Sequence, residues 1–459
     1  MLIKHGEIYT KNGFKKLDIL IKDGVINKIA KNINEVESEK EEVILANGKY
    51  IFPGAIDVHT HLDLDVGFAK ANDDFYTGTV AAACGGTTTI VDHVGFGPDG
   101  CDLDYQIKHY HKLAKDKAVI DYGFHGVIQH VDDNVLDKME KMLEEGVTSY
   151  KVYMTYSGRL SDDKIFNVLK RAKELDVLIA VHAENNDIVE HLKKEFIDNR
   201  LTSFKYHPKS RPEECEAEAI NRILSIGKII GDAPIYIVHV SNGLSLEYID
   251  FFRRRGYKKL YAETCPQYLY LDDSYYERED GLKFILSPPL RDKSNKEILW
   301  QGLRLGEIDT VATDHCPFAY NKDKQKGKDD FTKCPNGMPG IETRYPLMIS
   351  AALSGTISFQ TLIDTCCKNP AKLFGLYPKK GEICVGADAD LVIFNPKVKS
   401  KIKHEKLHEN IDYTPYEDIK IKGEIKAVLS RGTLIVKDGD FIGKKGRGEF
   451  IKRDKFQDV

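Results

Sequence analysis

Short apolar segments alternate with longer amphipathic segments through the middle of the chain. One amphipathic segment, Asp162–Asp176 (DDKIFNVLKRAKELD), places its apolar residues on one face of a helix: Ile165, Val168, Leu169, Ala172 and Leu175. The apolar segments have the length of strands and number eight: 56–61, 87–94, 121–128, 149–154, 177–184, 234–241, 259–266 and 310–317. This alternation predicts an α/β fold with βα units around a parallel sheet, and eight strands fit a TIM (β/α)8 barrel.

Both ends of the chain have a different pattern, that of short strands joined by tight turns. Asp23-Gly24 and Asp438-Gly439 are hairpin-turn pairs between β-forming residues. We therefore expect residues 1–52 and 385–443 to form one small β-sandwich domain and residues 53–384 to form the barrel domain. The charged stretch 321–333 is expected to be a solvated loop. We expect the basic C-terminal tail, 444–459, to be solvated and mobile or used in a subunit contact.

Charge and cysteine content exclude several classes of protein. The chain has 67 Lys and Arg against 71 Asp and Glu, a formal net charge of -4, so no basic field favours nucleic acid or an anionic membrane as a partner. The N-terminus lacks the apolar core of a signal peptide. Nine cysteines form no regular framework, which favours a reducing compartment. We expect a cytoplasmic protein.

Polar residues end several of the predicted barrel strands. His59 and His61 end the first strand, two residues apart and so on the same face. His182 ends the fifth strand, His239 the sixth and Asp314 the eighth. A single strand histidine is usually a hydrogen-bonded core residue, but the carboxyl ends of barrel strands converge on one site. Imidazole and carboxylate are donors for zinc and similar ions, so the set predicts a metal site.

Lys151 lies within the apolar fourth strand (SYKVYM, 149–154), where a lysine is unexpected. Burial of an ammonium group is costly and lowers its pKa. The neutral amine reacts with carbon dioxide to give a carbamate, whose oxygens can bridge two cations. The alternative is a lysine that points outward from a partly exposed strand.

Taken together, these residues resemble the cyclic amidohydrolases, within them the dihydropyrimidinase and hydantoinase branch, and most closely the bacterial D-phenylhydantoinases. The resemblance spans residues 1 to about 440. The branch rests on HTH (59–61), GGTTTIVDHV (85–94), KVYMTY (151–156), HAEN (182–185), ETCPQYL (263–269), SPPLR (287–291) and ATDHCPF (312–318). The likeness to D-phenylhydantoinases rests on the segment from VDHVGFGPDGC (91–101) through FHGVIQHVDDN (124–134).

The resemblance implies a pair of divalent ions, usually zinc, that share a hydroxide which attacks the ring amide. One ion would be held by His59, His61, carboxylated Lys151 and Asp314, and the other by Lys151, His182 and His239. It further implies that Asp314 transfers protons, that Tyr156 stabilises the oxyanion, and that main-chain groups of Ser287 and Asn336 bind the ring. A homotetramer is implied as well.

The expected reaction is hydrolysis of hydantoins, with an aromatic 5-substituent as the first choice, and of dihydropyrimidines to N-carbamoyl amino acids. A dihydroorotase or allantoinase is the nearest enzymatic alternative. Those relatives commonly carry an arginine two residues after the second histidine of the HxH pair, whereas His61 is followed by Leu62-Asp63. An alternative of another class is a non-catalytic scaffold that has kept the fold, although such relatives have lost metal ligands that this chain retains.

Overall fold

Five short strands begin the chain, each with apolar residues that can face a common core. The computed structural model describes residues 1–10, 12–34 and 42–459. Asp23 and Gly24 join the second and third strands with positive φ values of 50° and 79°, as the predicted hairpin turn requires. The strands are β1 (Leu2–Thr10), β2 (Gly13–Lys22), β3 (Val25–Ala30), β4 (Val43–Leu45) and β5 (Tyr50–Pro53).

The eight predicted parallel strands follow in the predicted order. They are β6 (Ala55–Thr60), β7 (Thr87–His93), β8 (Asp121–Val127), β9 (Ser149–Tyr153), β10 (Leu178–His182), β11 (Ile235–Ile237), β12 (Leu260–Thr264) and β13 (Thr310–Val311). Each pairs with the next in the chain from β6 to β13. A bridge between Thr60 and His315 joins the first strand to the segment after the last, and so closes the barrel.

Helices connect these strands on the outside of the barrel. The helix that carries the predicted face, Asp162–Leu175, buries all five expected apolar residues. No helix in the described ranges has the length and apolar character needed to cross a membrane. The helices are α1 (Thr77–Cys84), α2 (Asp104–Ala114), α3 (Asp133–Glu144), α4 (Asp162–Leu175), α5 (Asn186–Asp198), α6 (Glu213–Ile229), α7 (Gly243–Arg254), α8 (Pro266–Tyr270), α9 (Ser294–Leu305), α10 (Arg344–Leu353), α11 (Phe359–Ile363) and α12 (Asn369–Leu373).

Four strands after the barrel complete the sheet that the N-terminus begins. They are β14 (Leu391–Lys401), β15 (Lys420–Ser430), β16 (Thr433–Lys437) and β17 (Asp440–Phe441). The sheet order is β17-β16-β15-β14-β5-β1-β2-β3, with β4 paired to β1. Its core contains residues from both chain ends, such as Ile19 and Leu429. The predicted fold class, a TIM barrel with a separate sheet domain built from both ends, is confirmed.

The C-terminal tail is packed against the barrel, so the expectation of a solvated, mobile tail was wrong, while its alternative, a subunit contact, stays a prediction. Main-chain hydrogen bonds join Tyr122 of β8 to Glu449 and Ile451, and Arg453 is 3% exposed. Phe456 is buried in the cluster that fills the barrel interior, together with Phe374. The tail therefore pairs with strand backbone and covers apolar side chains at the end of the barrel opposite the cavity.

Two further expectations need correction near the last strand. The predicted strand 310–317 ends at Val311, because the chain turns at Asp314, which has a φ of 53°. The stretch 321–333 is only partly solvated, since Lys324 and Phe331 are 0% and 1% exposed. Charge alone indicated solvent, but the loop folds back over the barrel mouth.

Candidate metal centre and active site

The carboxyl ends of five barrel strands bring the predicted ligands to one place. Lys151 lies within β9 and His182 ends β10, while the other ligands lie within or just beyond their strands. Three of the residues near the site have positive φ values although they are not glycine: Tyr156 (72°), His239 (40°) and Asp314 (53°). Such backbone strain concentrates at functional sites, where the surrounding structure holds it.

Three of the predicted ligands form one tight group. Asp314 Oδ1 lies 3.2 Å from His59 Nε2 and 3.1 Å from His61 Nε2. The ligand atoms of these three residues all lie within 4.8 Å of one another. Burial raises the pKa of Asp314, but the neighbouring His59 and His61 outweigh it and lower that pKa to about 2. The group therefore offers two imidazoles and one carboxylate to a cation.

The remaining three ligands lie next to this group. Lys151 Nζ is 3.5 Å from His59 Nε2, and His182 Nδ1 faces His239 Nε2 at 2.9 Å. The rings of His59 and His239 have centroids 5.5 Å apart. Lys151 is 1% exposed, and burial lowers its pKa to about 8 against the opposing effect of Asp314. Lys151 is thus in contact with His59, and its charge also acts on His182 and His239.

The donor set fits divalent metal ions. Burial lowers the pKa of His59, His182 and His239, so their rings are neutral at pH 7 and keep a lone pair for a metal. His61 Nδ1 is buried without a hydrogen-bond partner. Neutral imidazoles that converge with a carboxylate and a deprotonatable lysine are suitable for zinc.

Two buried carboxylates hold the histidines in place. Glu263 Oε1 lies 2.6 Å from His59 Nδ1 and accepts from the main-chain N–H of His239 at 3.0 Å. Glu184 Oε2 lies 2.7 Å from His182 Nε2 and accepts from Arg211 at 2.6 Å. Each carboxylate fixes one ring nitrogen and so turns the other toward the neighbouring predicted ligands.

A cavity of about 500 Å³ lies over the six predicted ligands and has both polar and apolar walls. Tyr156, Ser287 and Asn336, the residues predicted to stabilise the oxyanion and bind the ring, all line it. Burial raises the pKa of Tyr156 to about 12, so its hydroxyl is a donor at neutral pH. The apolar wall includes Leu64, Val66, Phe68, Phe96, Tyr153 and Phe318.

Several residues that support the site were not predicted from the sequence. Glu263 could have been found, because a carboxylate inside an apolar barrel strand is the same signal that singled out Lys151. Glu184 follows His182 by two residues within HAEN (182–185), a motif that indicates the family but no role for the carboxylate. Arg211 and Lys324 lie in polar stretches outside the barrel strands, where no local pattern distinguishes them.

Comparison with known proteins supports the family resemblance found in the sequence. The amidohydrolase family matches residues 50–435. A D-phenylhydantoinase of Escherichia coli O7:K1 is 48% identical over 457 residues, which cover 99% of this chain and 98% of the relative.

Solved structures agree over the same length. A dihydropyrimidinase from Brevibacillus agri NCHU1002 superposes with a TM-score of 0.97 at 41% identity, over 100% of this chain and 99% of the other. A D-hydantoinase from a Bacillus sp. AR9 superposes with a TM-score of 0.95 at 42% identity, over 99% of both chains. The chain therefore belongs to the amidohydrolase family, on the branch that contains the hydantoinases and dihydropyrimidinases.

Proposed function

We propose that this chain hydrolyses the cyclic amide bond of 5-substituted hydantoins and of dihydropyrimidines, and releases N-carbamoyl amino acids. The observation that carries the proposal is the convergence of six ligand side chains, Lys151 among them, at the floor of one cavity. The D-phenylhydantoinase relative, 48% identical over nearly the whole chain, supports the ring class.

The metal centre that we propose holds two divalent ions, with zinc as the first choice. Lys151, as a carbamate derived from carbon dioxide, would contribute to holding both ions. The other ligands would be His59, His61 and Asp314 for one ion and His182 and His239 for the other. When bound, the ions would lower the pKa of water and polarise the ring carbonyl.

Asp314 would transfer the proton, and Tyr156 would stabilise the negative charge that develops on the substrate. Asp314 is ionised at neutral pH, so its carboxylate can accept the proton of the attacking water and return it to the leaving ring nitrogen. Tyr156 keeps its proton because burial raises its pKa to about 12. Its hydroxyl can therefore donate a hydrogen bond to the oxyanion that develops on the carbonyl.

The cavity walls support the choice of substrate. Main-chain groups at Ser287 and Asn336 would bind the imide-like edge of the ring, because backbone donors and acceptors match its alternating N–H and C=O groups. Phe68 and Tyr153 lie on the apolar wall and would contact the 5-substituent. An aromatic substituent is therefore the proposed preference.

The test is a comparison of initial rates on phenylhydantoin, unsubstituted hydantoin, dihydrouracil, dihydroorotate and allantoin, with purified zinc-loaded enzyme. We expect phenylhydantoin to be opened fastest and dihydrouracil next. Fastest turnover of dihydroorotate or allantoin would instead assign the chain to those activities. A faster reaction with dihydrouracil than with phenylhydantoin would support the proposed ring-opening activity but reject the proposed preference for an aromatic substituent.

Metal analysis separates the enzyme from a non-catalytic scaffold. We expect about two zinc ions per chain, since both groups of donors are complete. A protein that binds no divalent metal and opens none of the five rings would be a scaffold.

We also propose that the enzyme is a cytoplasmic homotetramer, as the family resemblance implies. Light scattering coupled to size exclusion would measure the assembly, and a mass of one or two chains of 52.0 kDa would reject it. Fractionation of the source cells would test the location.

A further inference from the structure

Lys324 is a fully buried lysine in the loop that charge alone had assigned to solvent. Its side chain is 0% exposed, although it lies within NKDKQKGKDDFTK (321–333). Burial lowers its pKa to about 8, so the amine is still largely protonated at neutral pH. A buried ammonium group is costly unless its N–H groups are satisfied, so its contacts require an explanation.

The ammonium group joins two separate main-chain segments. Lys324 Nζ donates to the carbonyl oxygen of Ile285 at 2.6 Å and to that of Pro335 at 2.8 Å. The Ile285 carbonyl also accepts from the N–H of Gly337 at 3.0 Å. Three hydrogen bonds therefore fix the separation of the segment around residue 285 from the segment around residue 336.

These two segments lie in loops and carry residues that line the cavity. Ser287 follows Ile285 by two residues, and Asn336 follows Pro335 directly. Both line the cavity, as does Gly337. A main chain that binds a rigid, planar ring must hold its donors and acceptors at a fixed spacing, since a shift of about 1 Å is enough to lose the interaction.

We propose that Lys324 is a positioning residue that sets the spacing of the Ser287 and Asn336 main chains and so determines affinity for the substrate ring. The role in affinity rests on the proposed function, while the fixing of the two segments does not. Lys324 acts through the main chain and does not itself contact the reacting atoms.

The first test uses Lys324→Met and Lys324→Gln, with Lys322→Met as the control. Methionine keeps the length of the side chain and removes the donors, whereas glutamine retains a shorter N–H donor. Lys322 is exposed and lies two residues away in the same loop. We expect Lys324→Met to raise KM about tenfold with kcat changed by less than about threefold. The interaction binds the substrate equally in the ground state and in the transition state, so its loss raises KM and leaves kcat nearly unchanged.

Lys324→Gln should recover part of this loss, and Lys322→Met should match the wild type. Zinc content should be the same in all variants, since Lys324 is not among the six proposed ligands. A KM unchanged by Lys324→Met, or an equal fall of kcat in both Lys324 variants, would overturn the role in ring affinity.

The second test needs no substrate. Amide hydrogen exchange of the zinc-loaded proteins should become faster in Lys324→Met for peptides that cover 284–290 and 333–339, with the barrel strands unaffected. Equal exchange in Lys324→Met and wild type would overturn the fixing of the two segments. If the wild type opens none of the five rings, the proposed function fails, and exchange still decides whether Lys324 holds these segments.

Discussion

Two opposing electrostatic effects act on the pKa of Lys151. Its side chain is buried beside imidazole rings, which disfavours an ammonium ion, whereas Asp314 and Glu263 favour it. Burial is the larger effect and lowers the pKa to about 8. A substantial share of the amine is thus neutral near physiological pH, and only the neutral amine can add carbon dioxide.

Lys151→Ala should lose metal and activity together. Without a carbamate, the two groups of histidines share no ligand, so we expect fewer than two zinc ions per chain and kcat/KM lower by about three orders of magnitude. Added acetate or propionate should restore part of the activity, because a free carboxylate can occupy the space of the carbamate. Metal analysis and initial rates measure both effects.

The matched control for this variant is Lys170→Ala, on the exposed side of α4. It should keep the wild-type zinc content and rate. An unchanged zinc content in Lys151→Ala would show that Lys151 is not a shared ligand.

Carbamate formation on the metal-free protein should increase with pH. The pKa of Lys151 is about 8. At a pH below this value the amine is mostly protonated, and the neutral, reactive fraction falls roughly tenfold for each pH unit. At a higher pH the neutral fraction is nearly constant. The measurement is the initial rate at which the carbonyl signal of a lysine carbamate grows in NMR spectra, with isotopically labelled carbon dioxide at fixed partial pressure. A rate that still rises about tenfold between pH 8 and pH 9 would show an ordinary lysine pKa and so contradict the lowered one.

Strand β12 connects the two groups of proposed ligands through one side chain. Glu263 contacts the ring of His59 from β6 and the main chain of His239 beyond β11, and Tyr236 of β11 donates to its other oxygen at 2.7 Å. Because both contacts to the ligand residues involve Oε1, one carboxylate oxygen orients donors from both groups of ligands. The barrel makes this possible by placing adjacent strand ends a few ångströms apart.

Glu263→Gln should weaken metal binding without unfolding the barrel. The amide has nearly the same shape, but it has no negative charge and can turn an N–H group toward His59. We expect zinc affinity to fall about 10- to 100-fold, as for other residues that orient metal ligands. Competition with a chelator measures the affinity.

Glu297→Gln is the control, because Glu297 lies on the surface and pairs with Arg304. It should bind zinc as the wild type does. If Glu263→Gln also retains wild-type affinity, the carboxylate does not orient the ligands.

The barrel strands and the residues at their ends were predictable from the sequence, and the loops were not. An apolar run that ends in a histidine or aspartate indicates a strand whose carboxyl end carries the polar residue. His182 and Asp314 could therefore be assigned to the same end of the barrel. The position of Arg211 or Lys324 depends on the path of a loop across that mouth. No residue spacing encodes that path, because loops lack a period.

At the scale of the whole molecule, the C-terminal tail joins the sheet domain to the base of the barrel. After β17 the chain crosses β8 and inserts Arg453, which donates to Ser149 Oγ at 3.0 Å and to the carbonyl oxygens of Phe124 and Phe374. Ser149 in turn lies 2.7 Å from His125 Nδ1. The basic composition of the tail gave no sign of this, because the acceptors come from strands and a loop distant in sequence.

Arg453→Met should therefore destabilise the fold while leaving the metal centre intact. The substitution leaves the buried Phe124 carbonyl without this donor, and we expect a loss of about 2 kcal/mol in the free energy of unfolding. Urea denaturation followed by circular dichroism measures this, with Lys455→Met as the exposed control in the same tail. KM and zinc content should stay at their wild-type values, since Arg453 lies at the opposite end of the barrel from the cavity. Equal stability of the two variants would mean that the tail covers the barrel base without holding it.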